Sequence, residues 1–145
     1  MDRSAREDGF SLIELLVVVL VLGLLVAMAI PSFIGQRAKA SDAQAKSNVL
    51  ATQRAMETYY TDHESYADAN MNPSSDPDSL LRLEPTLADP PSPSIVAQNN
   101  SSYTLEVTSN SQPPVTFRLR RRTTGEVVRT CTPADTGGCP TDGDW

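Results

Sequence analysis

A continuous apolar run over residues 10–30 constrains this chain more than any other feature. The run, FSLIELLVVVLVLGLLVAMAI, contains a single charged residue, Glu14. As an α-helix rising about 1.5 Å per residue it would be roughly 30 Å long, which matches the hydrocarbon core of a bilayer. The apolar part of a signal peptide is shorter, about 7–15 residues. The sequence therefore predicts a helix that is retained and that spans a membrane.

Glu14 is the residue of this run that needs a partner. An ionised side chain at bilayer depth costs on the order of 3 kcal/mol even on lenient insertion scales. Cleavage between Gly9 and Phe10 would create a cation for it, because the new amino group of Phe10 would lie one helical turn from Glu14. The pairing could form within one chain or between neighbouring copies.

The residues around this carboxylate resemble the N-terminus of type IV pilins and their pseudopilin relatives. The resemblance rests on residues 9–16, GFSLIELL, followed by a long apolar helix and Pro31, and it covers about the first third of the chain. It implies that residues 1–9 are a leader, which a prepilin peptidase removes by cutting between Gly9 and Phe10.

The same resemblance implies how subunits assemble. The Phe10 amine would be methylated, and Glu14 would set the axial register by pairing with an adjacent N-terminal amine. The helices would bundle as the core of a helical homo-oligomeric filament with the heads outward. The implied partners are the prepilin peptidase, an inner-membrane assembly platform, minor pilins, and membrane lipid around residues 10–31 before assembly. No cofactor, metal or catalytic residue is predicted.

The orientation in the membrane is only weakly encoded. Arg3 and Arg6 precede the apolar run, and Arg37 and Lys39 follow it, so the count of basic residues gives little asymmetry. The resemblance implies a single pass through the cytoplasmic (inner) membrane with the N-terminus inside, and later an extracellular pilus.

Gly23 and Pro31 are predicted to weaken the helix. By intrinsic propensity, glycine costs roughly 1 kcal/mol and an interior proline roughly 3 kcal/mol. In the pili that this chain resembles, the corresponding segment can lose helical order, so a helix break is expected here, with a plain proline bend as the alternative. Over residues 32–61 apolar side chains recur on one face and predict an amphipathic helix that continues into a head domain.

The remaining residues predict an α+β head of the type IV pilin-like fold. Residues 62–100 are rich in Pro, Ser and Asp and are expected to form a connecting loop. Within it, residues 78–83 could form a short helical turn anchored by Leu80, Leu81 and Leu83, and Ile95 and Val96 could add an edge strand. Residues 101–130 contain three runs with period two, which predict an antiparallel β-meander.

This small sheet should pack on the second half of the long helix, since neither element has another apolar surface to bury. The helical face that we expect to carry the contact contains Val49, Met56 and Tyr60.

Residues 131–145 contain both cysteines, Cys131 and Cys139. Because the resemblance implies an exported head, a disulfide is expected, whereas free thiols would be expected only in a cytosolic head. Asp142 and Asp144 offer oxygen atoms near the C-terminus, where some pseudopilins hold calcium. Calcium takes about six to eight oxygens, so a flexible acidic tail is predicted instead.

Arginines cluster in the sheet region, and such a stripe could bind DNA phosphates. Pili that this chain resembles can take part in DNA uptake. The net charge of −6 argues against general affinity for nucleic acid, and no aromatic residues interleave the arginines as stacking partners. DNA is thus the weaker candidate, and a solvated strand face or a contact with the next subunit is favoured. The arginines are Arg118, Arg120, Arg121, Arg122 and Arg129.

The favoured function is a structural subunit of a type IV pilus that serves surface attachment, motility or DNA uptake, and not an enzyme. A pseudopilin of a type II secretion system is the alternative within the superfamily. The Cys131–Cys139 loop favours the pilin, whereas a C-terminal calcium loop would have favoured the pseudopilin. A monomeric membrane-anchored binding domain is the alternative from a different class.

Overall fold

The computed structural model describes residues 10–74 and 76–145, without the side chains of residues 29–34. The predicted leader, with the cleavage residue Gly9, lies outside the described residues. The chain divides into two compact units, Met1–Gln36 and Arg37–Trp145, and the second unit is called the head. The head carries the sheet and the buried core.

Helix α1 covers Leu12–His63. Its backbone stays helical through Gly23 and Pro31, so the break expected between them is not present in the described single chain. Proline removes one backbone hydrogen bond, whereas ending the helix there would leave up to four donors or acceptors unpaired on each side. The break stays a prediction for the assembled filament.

Four antiparallel strands form the sheet of the head in the order β1-β2-β3-β4. The predicted three-stranded meander is confirmed as β2 to β4, and the edge strand at Ile95 and Val96 is confirmed as β1. The strands are β1 Ser94–Gln98, β2 Tyr103–Thr108, β3 Thr116–Arg121 and β4 Val127–Thr132.

The segment expected to be mainly a connecting loop, residues 62–100, contains more regular structure than predicted. Besides β1 it holds a short helix, α2 Leu80–Leu83, and a 3₁₀ turn, Pro85–Ala88. Leu80 and Leu87 are buried and tie these turns to the core. The short helical turn expected over residues 78–83 is confirmed by α2, whereas the 3₁₀ turn was not predicted, because its apolar residues are too few to show a period.

Helix α1 and the sheet bury one core between them. Tyr103, Leu105 and Val107 alternate with more exposed residues along β2, as a half-buried strand requires. On α1 the predicted contacts of Val49 and Met56 are confirmed, but Tyr60 is only partly buried and Tyr59 takes the core position instead. The buried residues 49, 52, 56 and 59 follow the helical repeat, and position 60 lies beside it.

The C-terminal segment is ordered by its disulfide and by its last residue. The predicted Cys131–Cys139 disulfide is confirmed. The flexible tail expected after it was wrong, because Trp145 donates its indole N–H to the Thr130 carbonyl at 2.8 Å and its ring meets Phe117 edge-on at 5.6 Å. A large aromatic ring that finds an apolar partner and a hydrogen-bond acceptor is enough to hold a polar tail in place.

Asp42 fastens the disulfide loop to α1. Its side chain is 1% exposed, and it accepts hydrogen bonds from the Ser111 hydroxyl and the Gly138 backbone N–H, both at 2.7 Å. Lys46, one turn further on, donates to the Gly138 carbonyl at 2.7 Å. A buried carboxylate with two donors links three distant parts of the chain, and we call this arrangement the Asp42 clasp.

The clasp predicts that Gly137 tolerates alanine much less well than Gly125. Both glycines have positive φ, +55° and +86°, but a Cβ at Gly137 would overlap the Asp42 carboxylate, whereas a Cβ at Gly125 would meet open space. Gly125→Ala should cost about 1–2 kcal/mol for the left-handed backbone alone. Gly137→Ala should add roughly 1.5–3 kcal/mol from the disturbed hydrogen bonds of a charged group.

Urea unfolding of the detergent-solubilised chain, followed by the fluorescence of Trp145, measures both variants. Equal losses in the free energy of unfolding would show that the Asp42 clasp does not hold the loop.

Candidate functional site

The described residues 10–28 present a continuous apolar surface, which we call the apolar segment. Every large apolar side chain in it is between 47% and 77% exposed, from Val18 at the lower limit to Leu12 at the upper. Soluble monomers rarely expose contiguous apolar patches of more than a few hundred Å² without using them for an interaction. This surface is therefore a candidate interaction site.

Glu14 lies in the first turn of α1, inside the apolar segment. Its backbone N–H donates to the Ser11 carbonyl at 3.0 Å, consistent with a helix that begins at Leu12. The Glu14 side chain is exposed and has no ion-pair or hydrogen-bond partner among the described residues. The sequence placed Phe10 and Glu14 one turn apart, and their pairing stays a prediction because the uncut chain has no amino group at Phe10.

In the described part of the chain, no helix combines the length and the apolar character needed to cross a membrane.

The outer face of the sheet is polar. It carries the residues of β2, β3 and β4 that alternate with the buried ones, and strand register places Glu106, Arg118 and Thr130 in one row across it. Glu106 and Arg118 form an ion pair with a direct hydrogen bond from Arg118 Nε. A shallow cavity of about 320 Å³ lies over this pair and is lined by hydroxyl-bearing Thr116, Thr130 and Thr132.

Glutamates neutralise most of the predicted arginine stripe. Arg118 pairs with Glu106; Arg121 Nε lies 3.2 Å from Glu57 and Arg122 Nη1 lies 3.0 Å from Glu126. The guanidinium of Arg129 lies 5.8 Å from the ring centre of Trp145. Arg120 is exposed and has no carboxylate partner among the described residues. The stripe thus offers at most two cations that no carboxylate pairs with in the described structure.

Glu57 is the polar centre of the packing between α1 and the sheet. Its two carboxylate oxygens accept hydrogen bonds from the Tyr66 and Tyr103 hydroxyls, both at 2.8 Å, and Arg121 supplies the counter-charge. Arg121 also lies over the Tyr66 ring, 5.2 Å from its centre, and donates to the Ser101 carbonyl at 2.8 Å. We call these four side chains the Glu57 cluster.

Burial raises the pKa of the Tyr103 hydroxyl well above its ordinary value, and the hydrogen bond to the Glu57 carboxylate raises it further. The pKa of Tyr66 is raised for the same two reasons in the same order. Both tyrosines therefore remain protonated donors over the physiological pH range. Within the cluster the two hydroxyls act as hydrogen-bond donors to Glu57.

Among the described residues, no group of three or more His, Cys, Asp or Glu side chains is arranged to hold a metal ion.

Comparison with known families identifies the class to which these features belong. The family model described as "Type IV minor pilin ComP, DNA uptake sequence receptor" matches residues 31–134, and the model of the prokaryotic N-terminal methylation motif matches residues 4–30. The chain belongs to the ComP family of type IV pilins. The resemblance inferred from the N-terminal residues is thereby confirmed and extends over most of the head.

Curated relatives of this ComP-family chain come from two kinds of assembly. It is 40% identical over 65 residues to the type IV major pilin protein PilA of Myxococcus xanthus (strain DK1622), which covers 45% of this chain and 30% of PilA. It is 33% identical over 64 residues to the type II secretion system core protein G of Aeromonas hydrophila, which covers 44% of this chain and 45% of the relative.

The corresponding protein of Escherichia coli (strain K12) is 30% identical over 70 residues, 48% of each chain. The matches thus span less than half the length of these relatives. No solved structure matches the chain.

Sequence reasoning missed both polar anchors of this ComP-family head, although a signal for one was present. Asp42 lies on the same helical stripe as Ala45, Val49 and Met56, and a carboxylate on an apolar stripe indicates a buried, hydrogen-bonded acid. Glu57 carried no comparable signal, because its partners Tyr66 and Tyr103 are brought to it only by the fold.

The Glu57 cluster predicts that the head loses stability at high pH. In the unfolded chain both tyrosines ionise near pH 10, while in the folded head their pKa values are raised. Above about pH 10 the folded state therefore binds more protons than the unfolded state, and the free energy of unfolding must fall as the pH rises.

Urea titrations between about pH 8 and pH 11 measure this dependence. The Tyr66→Phe/Tyr103→Phe variant should start less stable and show a shallower fall, because it no longer has these protons to lose. Tyr60→Phe is the control, since its hydroxyl makes no hydrogen bond among the described residues. If the free energy of unfolding of the double variant fell with pH as steeply as that of the unsubstituted chain, Tyr66 and Tyr103 would not be the source of the pH dependence.

Proposed function

We propose that this chain is the precursor of a filament subunit of the type IV pilin class, held in the cytoplasmic membrane with its N-terminus inside until it is assembled. A prepilin peptidase cuts it between Gly9 and Phe10, and the new amine of Phe10 is methylated. The observation that carries the proposal is the apolar segment, whose side chains are exposed along residues 10–28 with one carboxylate among them.

Two environments can cover such a surface. Lipid covers it before assembly, and the same segments of neighbouring copies cover it in a filament. In either place a lone carboxylate is costly, and in a bundle of helices an unpaired buried charge costs more than a paired one. The amine of Phe10 in an adjacent copy can pair with Glu14 without introducing another charged side chain. Glu14 thereby selects one axial register between subunits.

Two other assemblies are compatible with the same segment. The protein G relatives belong to type II secretion systems, in which the chain would be a pseudopilin. A membrane-anchored head that stays monomeric would leave the segment in lipid. The cell fraction from which the polypeptide is recovered therefore distinguishes these two functions from that of a surface pilus.

Replacing Glu14 tests the proposal directly. Glu14→Leu and Glu14→Gln should both be cut before Phe10, and both should lower the yield of sheared surface filaments by about tenfold or more, because the pair with the neighbouring amine is lost. Val18→Leu is the matched control and should assemble normally. The measurements are the amount of this polypeptide in the sheared fraction and its N-terminal residue by mass spectrometry.

Gly9→Leu supplies the uncut reference, in which residues 1–9 remain. Normal filament yield from both Glu14 variants would refute the pairing. Recovery of the cut chain only from the cell envelope, with secretion lost in its absence, would assign it to a secretion system.

We propose contact with DNA as a second candidate function of the assembled subunit. It is supported by the family match over residues 31–134, whose description names a DNA uptake sequence receptor. In the head, Arg120 is an exposed arginine of the stripe that no carboxylate pairs with among the described residues, and strand register places Thr104 opposite it on the outer sheet face. The ion pair of Glu106 with Arg118 should keep such binding weak and sensitive to salt.

Binding of the detergent-solubilised chain to fluorescent duplex DNA at low salt tests this candidate. Arg120→Ala should weaken binding and lower the salt slope by about one phosphate contact. Glu106→Gln should strengthen binding, because Arg118 is released. Arg54→Ala, which removes an exposed arginine from α1, is the control for net charge. Equal weakening by the Arg54 and Arg120 variants would reduce the effect to non-specific attraction and would contradict a site on the sheet.

A further inference from the structure

The two edges of the sheet are protected in different ways. Strand β1 is a short edge strand of five residues, its register with β2 is irregular between Ile95 and Ala97, and Pro93 precedes it. Short length, irregular register and proline all discourage pairing with another chain. Strand β4 has six residues in unbroken register with β3, and four of them, two valines and two threonines, are β-branched. The β4 edge is thus the one that another strand could extend.

The C-terminal segment lies against the β4 edge, and we call residues 140–145 the C-terminal strap. The Cys131 N–H donates to the Gly143 carbonyl at 2.7 Å, and Thr130 forms an antiparallel bridge with Asp144. The bridge is isolated, so the strap covers only part of β4 and does not form a strand of its own. Its backbone contact with the edge is therefore brief.

The side chain of Trp145 anchors the strap. Its ring meets Phe117 edge-on, and its indole N–H donates to the Thr130 carbonyl. Lys46 Nζ and the Arg129 guanidinium each lie 5.8 Å from the centre of the larger Trp145 ring system, a distance at which a cation is attracted to an aromatic face. One side chain thus joins the strap to α1, to β3 and to β4.

The disulfide does not enclose the strap. It joins Cys131 to Cys139, and residues 140–145 lie beyond the loop that it closes. Gly143 lets the strap turn, since its φ is +74° and its N–H donates to the Pro140 carbonyl at 3.1 Å. Loss of the Trp145 contacts would therefore release the strap from β4 without any change in the disulfide.

We propose that the C-terminal strap is an autoinhibitory cover, which keeps β4 from pairing antiparallel with β4 of a second copy of this chain. With the strap released, the free donors and acceptors of a regular edge form a template for another strand. A second copy fits this template, because two identical strands paired antiparallel close as a symmetric dimer. The only charged residue of β4 is Arg129, so most registers place no like charges opposite each other. This inference is independent of whether the subunit builds a pilus or a secretion pseudopilus.

Trp145→Ala tests the cover in the full detergent-solubilised chain. In dilute solution, amide exchange in residues 127–131 should become about tenfold faster than in the unsubstituted chain, because the strap no longer covers the edge. At high concentration the variant should dimerise in analytical ultracentrifugation, and these amides should regain protection. The unsubstituted chain in the same detergent is the reference for association through the apolar segment. Trp145→Phe keeps a ring against Phe117 and removes the indole donor, so it should speed exchange by about threefold; it replaces the alanine variant if the amides of β2 show that variant to be unfolded.

A charge on the β4 edge separates pairing of β4 from a general loss of stability. Trp145→Ala/Val127→Lys should remain monomeric, because lysine on a strand edge opposes pairing. Trp145→Ala/Val96→Lys, with the same charge on the β1 edge, is the matched control and should dimerise as Trp145→Ala does. Unchanged β4 exchange in a folded Trp145 variant, faster exchange without any dimer, or a dimer that persists with Val127→Lys would each overturn the proposal.

Discussion

Helix α1 carries two apolar surfaces, of which one is buried against the sheet and the other is exposed. The rest of the structure depends on this difference in burial. Around Val49 and Met56 the apolar side chains are fully buried against the sheet. Over residues 10–28 equally apolar side chains are left exposed in the single chain. Burial of apolar area is the dominant favourable term in folding and in association. The first surface therefore folds the head, and the second remains for an interaction that the single chain does not make.

Two carboxylates on α1 cross-link the elements of the head in addition to its apolar core. Glu57 joins α1 to Tyr66, to β2 through Tyr103 and to β3 through Arg121. Asp42 joins α1 to Ser111 and to the disulfide loop at Gly138. The Asp42 side chain is buried, so any arrangement that removes its two donors would leave a buried polar group unpaired. The Glu57 side chain is 43% exposed, and it links its partners at the margin of the core. Both acids lie on the helix that also carries the exposed surface.

The sequence predicted the parts of this architecture that arise from local periodicity. The long helix, the strands at Tyr103, Phe117 and Val127, and the family resemblance at residues 9–16 were all visible, because each depends on residues close in the chain. The disulfide followed from the compartment that the resemblance implied. Among the described residues these elements form as expected.

The remainder depends on contacts between distant residues, which a single sequence does not encode in any pattern. The ordered tail is an example, because its order comes from Trp145 meeting Phe117 and Thr130. The arginine stripe is another: its residues were visible, but their neutralisation by Glu57 and Glu106 arises from strand register and helix packing. Charges counted along the chain therefore overstate the positive surface that the folded head presents.

We propose that the apolar segment is an assembly surface whose single carboxylate pairs with the N-terminal amine of a neighbouring subunit. A density map of purified filaments at side-chain resolution tests it most directly. We expect the chain to begin at Phe10 and a carboxylate oxygen of Glu14 to lie within about 4 Å of the Phe10 nitrogen of an adjacent copy. A filament in which Glu14 faces solvent or lipid, or in which residues 1–9 are still attached, would contradict it.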